Sequence, residues 1–378
     1  MSGIRHLPDK PVSIIKVVGD FCNFRCAYCF YNAKDQSEPH VMSRNILERL
    51  IVDKMSLFEG DLNFIWHGGE PLLAGQGFFQ DVIGLQEKNR TGKHGEIRNS
   101  IQTNGSLIND EWAEFFSKAG FHVGVSIDGG PESQNRFRKD AGGGESFSKT
   151  MKGIETLKRN GVRFGAIQTV TSSNLENAEA DFRFFVDELN VSHWGTNVFL
   201  DLGDHPLAES ENISCDDWSE YLRNIIELWI NENNPGLRIR EIDNFIAGLI
   251  GKRARSCSFN GSCGRHICVD WDGRVYPCDR FSGREDLCYG DLNKMSLAEI
   301  LESPVRSAYI SAVARLPGEC ENCRWKALCN NGCTHHRVGG FDGLYYYCRA
   351  RSEIFDHLEK IVSPYFASIE EGGERYES

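Results

Sequence analysis

The chain has 378 residues, and 42 lysines and arginines against 54 aspartates and glutamates leave it at −12. That length suggests two or three domains with room for a sizeable core, and the acidic balance without a long basic block disfavours tight binding to nucleic-acid phosphates. No run approaches the ~20 apolar residues that span a membrane, and the opening MSGIRHLPDK lacks the apolar core of a secretory signal, so a cytoplasmic protein is expected.

Six β-rich runs succeed one another from residue 11: PVSIIKVVGD (11–20), LNFIWHGGEP (62–71), NSIQTNG (99–105), FHVGVSIDG (121–129), VRFGAIQTV (162–170) and VSHWGTNVF (191–199). Amphipathic stretches such as 43–58 and 145–161 lie between them, which predicts a parallel sheet wound by crossover helices. Polar and glycine signals close three of the runs (HGGEP, QTNG, SIDGG), and in parallel α/β barrels the carboxyl ends of the strands carry the active site. Residues 201–256 read as a linker with two helices, at 216–233 and 241–254.

Cysteine usage then changes: ten of the fourteen cysteines fall between residues 257 and 348, among many turns. In a reducing cytosol such cysteines point to metal rather than to disulfides, and a segment of this kind needs metal to hold it together. One more helix is expected over 350–363, followed by a disordered tail, EEGGERYES.

The stretch CNFRCAYC places Cys22, Cys26 and Cys29 just past the first strand. Thiolates bind iron–sulfur clusters or zinc. Three thiolates on a four-iron cluster leave one iron open, as catalytic zinc keeps an open position; a structural zinc with a distant fourth ligand is the competing reading. In HGGEP, adjacent glycines let backbone approach a ligand closely, and Glu70 supplies a carboxylate for an ammonium group. The bland alternative is a turn with an exposed glutamate.

These motifs resemble those of the radical S-adenosylmethionine (SAM) enzymes. The resemblance implies that the open iron chelates SAM, whose reductive cleavage gives a 5′-deoxyadenosyl radical. It implies that Tyr28 lies near the adenine and that Gly68, Gly69 and Glu70 bind the SAM amino group. Asn104, Ser126, Asp128 and Arg138 fit the remaining SAM contacts less specifically, Arg138 as a partner for the SAM carboxylate.

Downstream, Cys263 is followed after nine residues by Gly273 and after four more by Cys278; then come Cys320, Cys323, Cys329 and Cys333 in the pattern CxxCx5CxxxC, and Cys348. With Cys257 these resemble the SPASM extension of radical SAM enzymes. The resemblance implies two auxiliary [4Fe–4S] clusters, one held by Cys257, Cys263, Cys278 and Cys333 and the other by Cys320, Cys323, Cys329 and Cys348, although Cys333 and Cys348 can exchange roles as far as spacing shows. Cys215, Cys268 and Cys288 fall outside the template and read as small buried hydrophobes. His335 and His336 are surplus to the cysteine count.

The expected architecture is therefore α/β: a partial (β/α)6 barrel over 1–235, a helical linker over 236–256, an auxiliary-cluster domain over 257–349, and a C-terminal helix and tail over 350–378. The resemblance implies three [4Fe–4S] clusters and SAM as cofactors. Asp279 matches an aspartate proposed as the base in anaerobic sulfatase-maturing enzymes, and Tyr31 matches a substrate-side aromatic there. Two auxiliary clusters suggest an overall oxidation of a peptide or protein, with a flavodoxin- or ferredoxin-type electron donor and neither nucleic acid nor membrane as partner.

Two reactions compete. WHGGEPLL and CDRFSG look closer to maturases that cross-link ribosomally made peptides, and His67 stands where the compared sulfatase maturases carry glutamine, which favours peptide cross-linking. The cysteine ladder and Asp279 fit the alternative, oxidation of a sulfatase Cys or Ser to formylglycine. Only about ten residues precede the first strand, so the peptide is expected to be captured by barrel and extension. A multi-cluster electron carrier is the non-enzymatic alternative, disfavoured because a carrier needs no open iron.

Overall fold

The computed structural model describes residues 10–31 and 39–373, so most of the expected N-terminal lead and residues 374–378 of the tail lie outside the described residues. In chain order the strands are β1 (Val12–Lys16), β2 (Gly60–His67), β3 (His94–Thr103), β4 (His122–Ser126), β5 (Phe164–Val170), β6 (His193–Val198), β7 (Arg238–Ile239), β8 (His266–Val269), β9 (Arg274–Tyr276), β10 (Gly290–Asp291), β11 (Arg337–Val338) and β12 (Leu344–Tyr345). All six expected strands are present, with helices where the periodicity placed them, at Arg44–Leu57 and Phe147–Arg159.

The chain forms two compact units, one made of residues up to Thr169 with Ser262–Val313 and the other of Val170–Gly261 with the residues from Ala314 on. In the first, β1, β2, β3, β4 and β5 pair in chain order and in parallel. Strand β2 shows how the pattern makes the layer: Leu62, Phe64 and Trp66 alternate inward and are fully buried, each stabilising the fold by roughly 1.5–3 kcal/mol. The helix Arg44–Leu57 starts where the Ser43 hydroxyl accepts the Ile46 N–H, and it buries Ile46, Leu47, Leu50, Ile51 and Met55 at helical spacing. The helix Asp110–Ala119 is capped by Asn109 and stops at Gly120, whose φ of +66° is left-handed.

The second unit corrects the expected linker. The helix Cys215–Glu232 buries Trp218, Tyr221, Leu222, Ile225 and Ile226, and the helix Arg240–Leu249 buries Ile242 and Phe245. Trp218 meets Tyr347 at 5.9 Å, and Phe245 meets Phe355 of the C-terminal helix Cys348–Gly373 at 4.8 Å. Residues 201–256 are therefore core rather than connector, because their apolar stripes have aromatic partners that arrive from the C-terminus.

The expected auxiliary-cluster domain is divided too. Residues 262–313 belong with the first unit because β8 extends its sheet: Ile14 and Ile15 pair in parallel with Cys268 and Val269. Strands β9 and β10 then add antiparallel turns at that edge. A sheet edge with unpaired N–H and C=O groups recruits a strand wherever one is available, and the fully buried Ile267, Cys268 and Val269 supply it. The α/β fold class expected from the sequence stands.

Candidate active site

Within the first unit the motif residues gather at the carboxyl ends of β1 to β4. The loop after β1 carries Cys22, Cys26 and Cys29, and the turn after β2 is wedged against it. Gly69 donates its N–H to the Gly19 carbonyl at 2.8 Å, and Glu70 donates its N–H to the Phe21 carbonyl at 2.9 Å. A Cβ on Gly69 would sit 1.8 Å from the Phe21 carbonyl oxygen, while Gly68 has a φ of +109° and its Cβ would sit 2.7 Å from the Gly19 oxygen. Both glycines are thus required for backbone to meet backbone.

Glu70 is fully buried, so it is not the exposed glutamate of a simple turn. Its carboxylate accepts the N–H of Leu72 (3.1 Å), the hydroxyl of Thr103 (2.8 Å) and the N–H of Asn104 (2.8 Å). Burial pushes the carboxyl up to about 7, against the opposing pull of the Asn104, Thr103 and Leu72 hydrogen bonds. Asn104 in turn donates its side-chain amide to Asn23 at 2.8 Å and approaches the Cys22 sulfur at 3.8 Å.

None of the three thiols is in a disulfide, and they influence one another electrostatically. Burial pushes Cys22 upward and Cys26 up to about 12, and Arg138 opposes the shift at Cys26. The Phe24 N–H points at the Cys22 sulfur at 3.3 Å. Mutually interacting thiols with N–H donors aimed at the Cys22 sulfur, on a loop locked by the Gly68–Gly69 turn, fit the ligands of an iron–sulfur cluster.

A second set surrounds Cys26. Arg138 donates to Asp128 from Nε (2.9 Å) and Nη2 (3.0 Å), the Tyr28 hydroxyl donates to the same carboxylate, and the Tyr28 ring lies 5.4 Å from the guanidinium. Arg138, expected as a partner for the SAM carboxylate, thus already carries a buried carboxylate partner on two of its five N–H donors. A guanidinium only 7% exposed needs a buried counter-ion, and Asp128, 1% exposed, supplies it. Ser126 stands at the end of β4, where its hydroxyl accepts from the Gln102 amide at 2.9 Å.

A third set lies at the junction of β1, β2 and β8. The Tyr31 hydroxyl donates to Asp279 over a long 3.4 Å, and the Tyr31 ring meets His67 edge-on at 6.4 Å. Lys16, fully buried, donates to Asp20 (2.5 Å), Ser282 (2.9 Å) and Asp270 (3.2 Å), and stands 4.7 Å from the centre of the Tyr31 ring. Burial alone would lower its pKa, but Asp270 and Asp20 together raise it. Motif reading missed Lys16, Asp20, Asp270 and Ser282; the one available signal was a lysine closing the apolar strand VSIIK.

The remaining cysteines divide between the units. Cys263 and Cys278, in the first, both act on Tyr289. In the second, Cys348 is under the influence of Cys329, Cys320 and Cys323, the set expected for one cluster, and Arg351 reaches the Cys329 sulfur at 4.0 Å; Cys257 and Cys333 also belong to this unit. Cys268 is the buried hydrophobe expected, whereas Cys215 and Cys288 are only half-buried. Among the described residues no three His, Cys, Asp or Glu side chains converge on a single metal ion; thiolates on different irons of one cuboid stand further apart than the ligands of one zinc. A cavity of 590 Å³ in the second unit, lined by Glu176, Glu179, Asp217, Glu220 and Glu227, contains none of the motif residues.

Fold and site together define an iron–sulfur enzyme of the radical SAM class. Residues 17–185 match the radical SAM superfamily, and residues 257–324 match the SPASM iron–sulfur cluster-binding domain. Over 92% of this chain and 96% of theirs, the sequence is 31% identical to the cysteine-type anaerobic sulfatase-maturating enzyme of Clostridium perfringens strain 13. Over 94% and 90% it is 32% identical to the serine-type enzyme of Bacteroides thetaiotaomicron. The solved structure of native anSMEcpe with bound AdoMet superposes with a TM-score of 0.84 at 31% identity, covering 95% of this chain and 99% of that one. Streptococcus suis SuiB bound to its precursor peptide SuiA matches at 0.63 and 13% identity, over 90% and 76%, a likeness of fold alone.

The chain belongs to the family of the anaerobic sulfatase-maturating enzymes, radical SAM enzymes with a SPASM domain, and its cofactors are [4Fe–4S] clusters and SAM. No helix among the described residues is long and apolar enough to cross a membrane.

Proposed function

We propose that this protein oxidises a cysteine or serine side chain of a sulfatase to formylglycine, in the cytoplasm, with a flavodoxin- or ferredoxin-type protein as electron donor. Relatives of both the cysteine and the serine type, matched over more than nine-tenths of this chain, support this reading over the peptide cross-linking that WHGGEPLL and CDRFSG favoured. A solved relative, native anSMEcpe with bound AdoMet and Cp18Cys peptide, supports a peptide-shaped substrate. The observation that carries the reading is the contact between Tyr31 and Asp279 next to Cys278, an acid and its hydrogen-bond partner beside an auxiliary-cluster cysteine.

Cys22, Cys26 and Cys29 would hold the SAM-binding cluster, and Cys320, Cys323, Cys329 and Cys348 would hold an auxiliary one. When bound, the first cluster and SAM supply a radical able to take hydrogen from an unactivated carbon. The chain's own residues do the rest. Glu70 and Asn104 tie the glycine wedge to the cysteine loop and so set the SAM cradle. As a hydrogen atom leaves that carbon, Asp279 takes the proton from the target S–H or O–H, the remaining electron would pass to an auxiliary cluster, and Tyr31 holds the carboxylate in place.

Anaerobically reconstituted protein with SAM and a strong reductant is expected to convert a sulfatase-derived peptide to an aldehyde that a hydrazide probe captures. The serine peptide loses two hydrogens; the cysteine peptide loses two hydrogens to give a thioaldehyde, which water hydrolyses to the aldehyde with release of hydrogen sulfide. A product lighter by two hydrogens that resists the probe and carries a new side-chain bond would restore the cross-linking reading.

A further inference from the structure

His67 closes β2 opposite Lys16 of β1. Val269 of β8 pairs with Ile15, so Asp270 follows beside Lys16. Asp270, Lys16 and His67 therefore form one row across the carboxyl edge of three adjacent strands. Lys16 is held within that row by Asp270, Asp20 and Ser282. His67 is not: neither ring nitrogen makes a hydrogen bond to another described residue, and Nδ1 is completely enclosed.

The chemistry of the ring follows from that enclosure. Burial lowers the pKa of His67; the Asp279 carboxylate opposes this, while Lys16 and Arg280 add to it, so the imidazole is neutral at neutral pH. An enclosed N–H without a partner is rarer than an enclosed lone pair. The proton is therefore assigned to Nε2, which leaves the enclosed Nδ1 as the bare lone pair. Edge contact with the Tyr31 ring keeps the imidazole beside the pair Tyr31–Asp279, and only Gly68 and Gly69 separate it from Glu70 in sequence.

We propose that His67 is a catalytic donor: its Nε2–H bonds to the sulfur or oxygen of the target side chain while Asp279 accepts the proton of that same atom. The inference rests on the reading of function above and deepens it. The proton leaves the heteroatom for Asp279, and the negative charge left on sulfur or oxygen is met by a donor already in position. A serine alkoxide carries more localised charge than a cysteine thiolate, so the donor matters more for a serine substrate.

The test is a double-mutant cycle on the reconstituted enzyme with SAM, using sulfatase-derived peptides with Cys, Ser or Ala at the target position and the variants His67→Phe and His67→Gln. Wild type is expected to bind the Ser and Cys peptides about 2- to 10-fold tighter than the Ala peptide, the value of one neutral hydrogen bond. In His67→Phe this preference disappears, and turnover of the Ser peptide falls further than that of the Cys peptide. In His67→Gln, whose amide N–H reaches the Nε2 position, the binding preference returns. Iron content and SAM affinity measured alongside report whether a variant has kept its fold. A His67→Phe protein with normal iron that keeps the full preference over Ala overturns the proposal. A wild type that converts neither the Cys nor the Ser peptide removes the reading of function, and this inference with it.

Discussion

Two fully buried lysines, both in the first unit, have opposite surroundings. Lys16, at the carboxyl edge of the sheet, lies between the carboxylates of Asp20 and Asp270, and its pKa is raised. Lys54, on the helix that covers the sheet, meets the Ser13 hydroxyl at 2.7 Å, the Asn63 carbonyl at 2.6 Å and the Phe64 ring at 4.4 Å. Burial pushes it down to about 7, and the charge of Lys10 adds to the shift. The same side chain, equally buried, is a fixed cation in one place and an amine that titrates near neutrality in the other. Charge is held firmly at the edge where the chemistry is proposed and only loosely where the layer is packed.

The largest effect belongs to the backbone wedge that makes the edge possible. Gly69→Ala drives a methyl into the Phe21 carbonyl, and the expected result is loss of the SAM-binding cluster. Iron content falls by about one cluster, and 5′-deoxyadenosine formation drops to background. Near-normal cleavage would mean that the loop yields and that the edge is softer than the comparison holds.

Lys16→Met comes next. It leaves Asp20 and Asp270, whose side chains are 14% and 13% exposed, without their shared cation, and about 3–5 kcal/mol of stability is expected to be lost. Denaturant unfolding under anaerobic conditions measures it, and a loss below ~1 kcal/mol would show that the two carboxylates relax into solvent.

Lys54→Met gives the smallest effect and the opposite sign. The folded pKa of about 7 lies below the unfolded value of 10.5, so between those values the unfolded chain holds a proton that the folded one lacks. Wild-type stability therefore rises as pH rises through this window and is fully penalised below it. Methionine removes the titration: the variant is more stable at pH 7, and its advantage shrinks by about 2 kcal/mol between pH 7 and pH 9. A gap that does not change with pH would mean that Lys54 keeps its charge through hydrogen bonding alone.

Strand and helix positions were legible because period-two and helical patterns survive as local signals: Leu62, Phe64 and Trp66 alternate in β2, and Ile46, Leu50 and Ile51 recur on one helical face. The domain plan was not. A short apolar triplet such as Ile267–Cys268–Val269 carries too little pattern to reveal that it pairs with β1 across some 250 residues of chain, and the aromatic partners of Trp218 and Phe245 arrive from beyond residue 340. Nor does spacing say that Arg138 is already paired, since the two residues of that ion pair sit ten apart across a turn.

Sequence alone placed Cys22, Cys26 and Cys29 on one short loop, and the resemblance of that loop and of Gly68, Gly69 and Glu70 to a known family implied the chemistry class. Tertiary structure decided which charges are spent and which groups remain open. The register Lys16–His67 and Ile15–Val269 sets Asp270, Lys16 and His67 side by side, three residues whose sequence positions share nothing. A parallel sheet brings distant strand ends into one row, and only there do burial and neighbouring charge push the pKa of Lys16 up and that of His67 down.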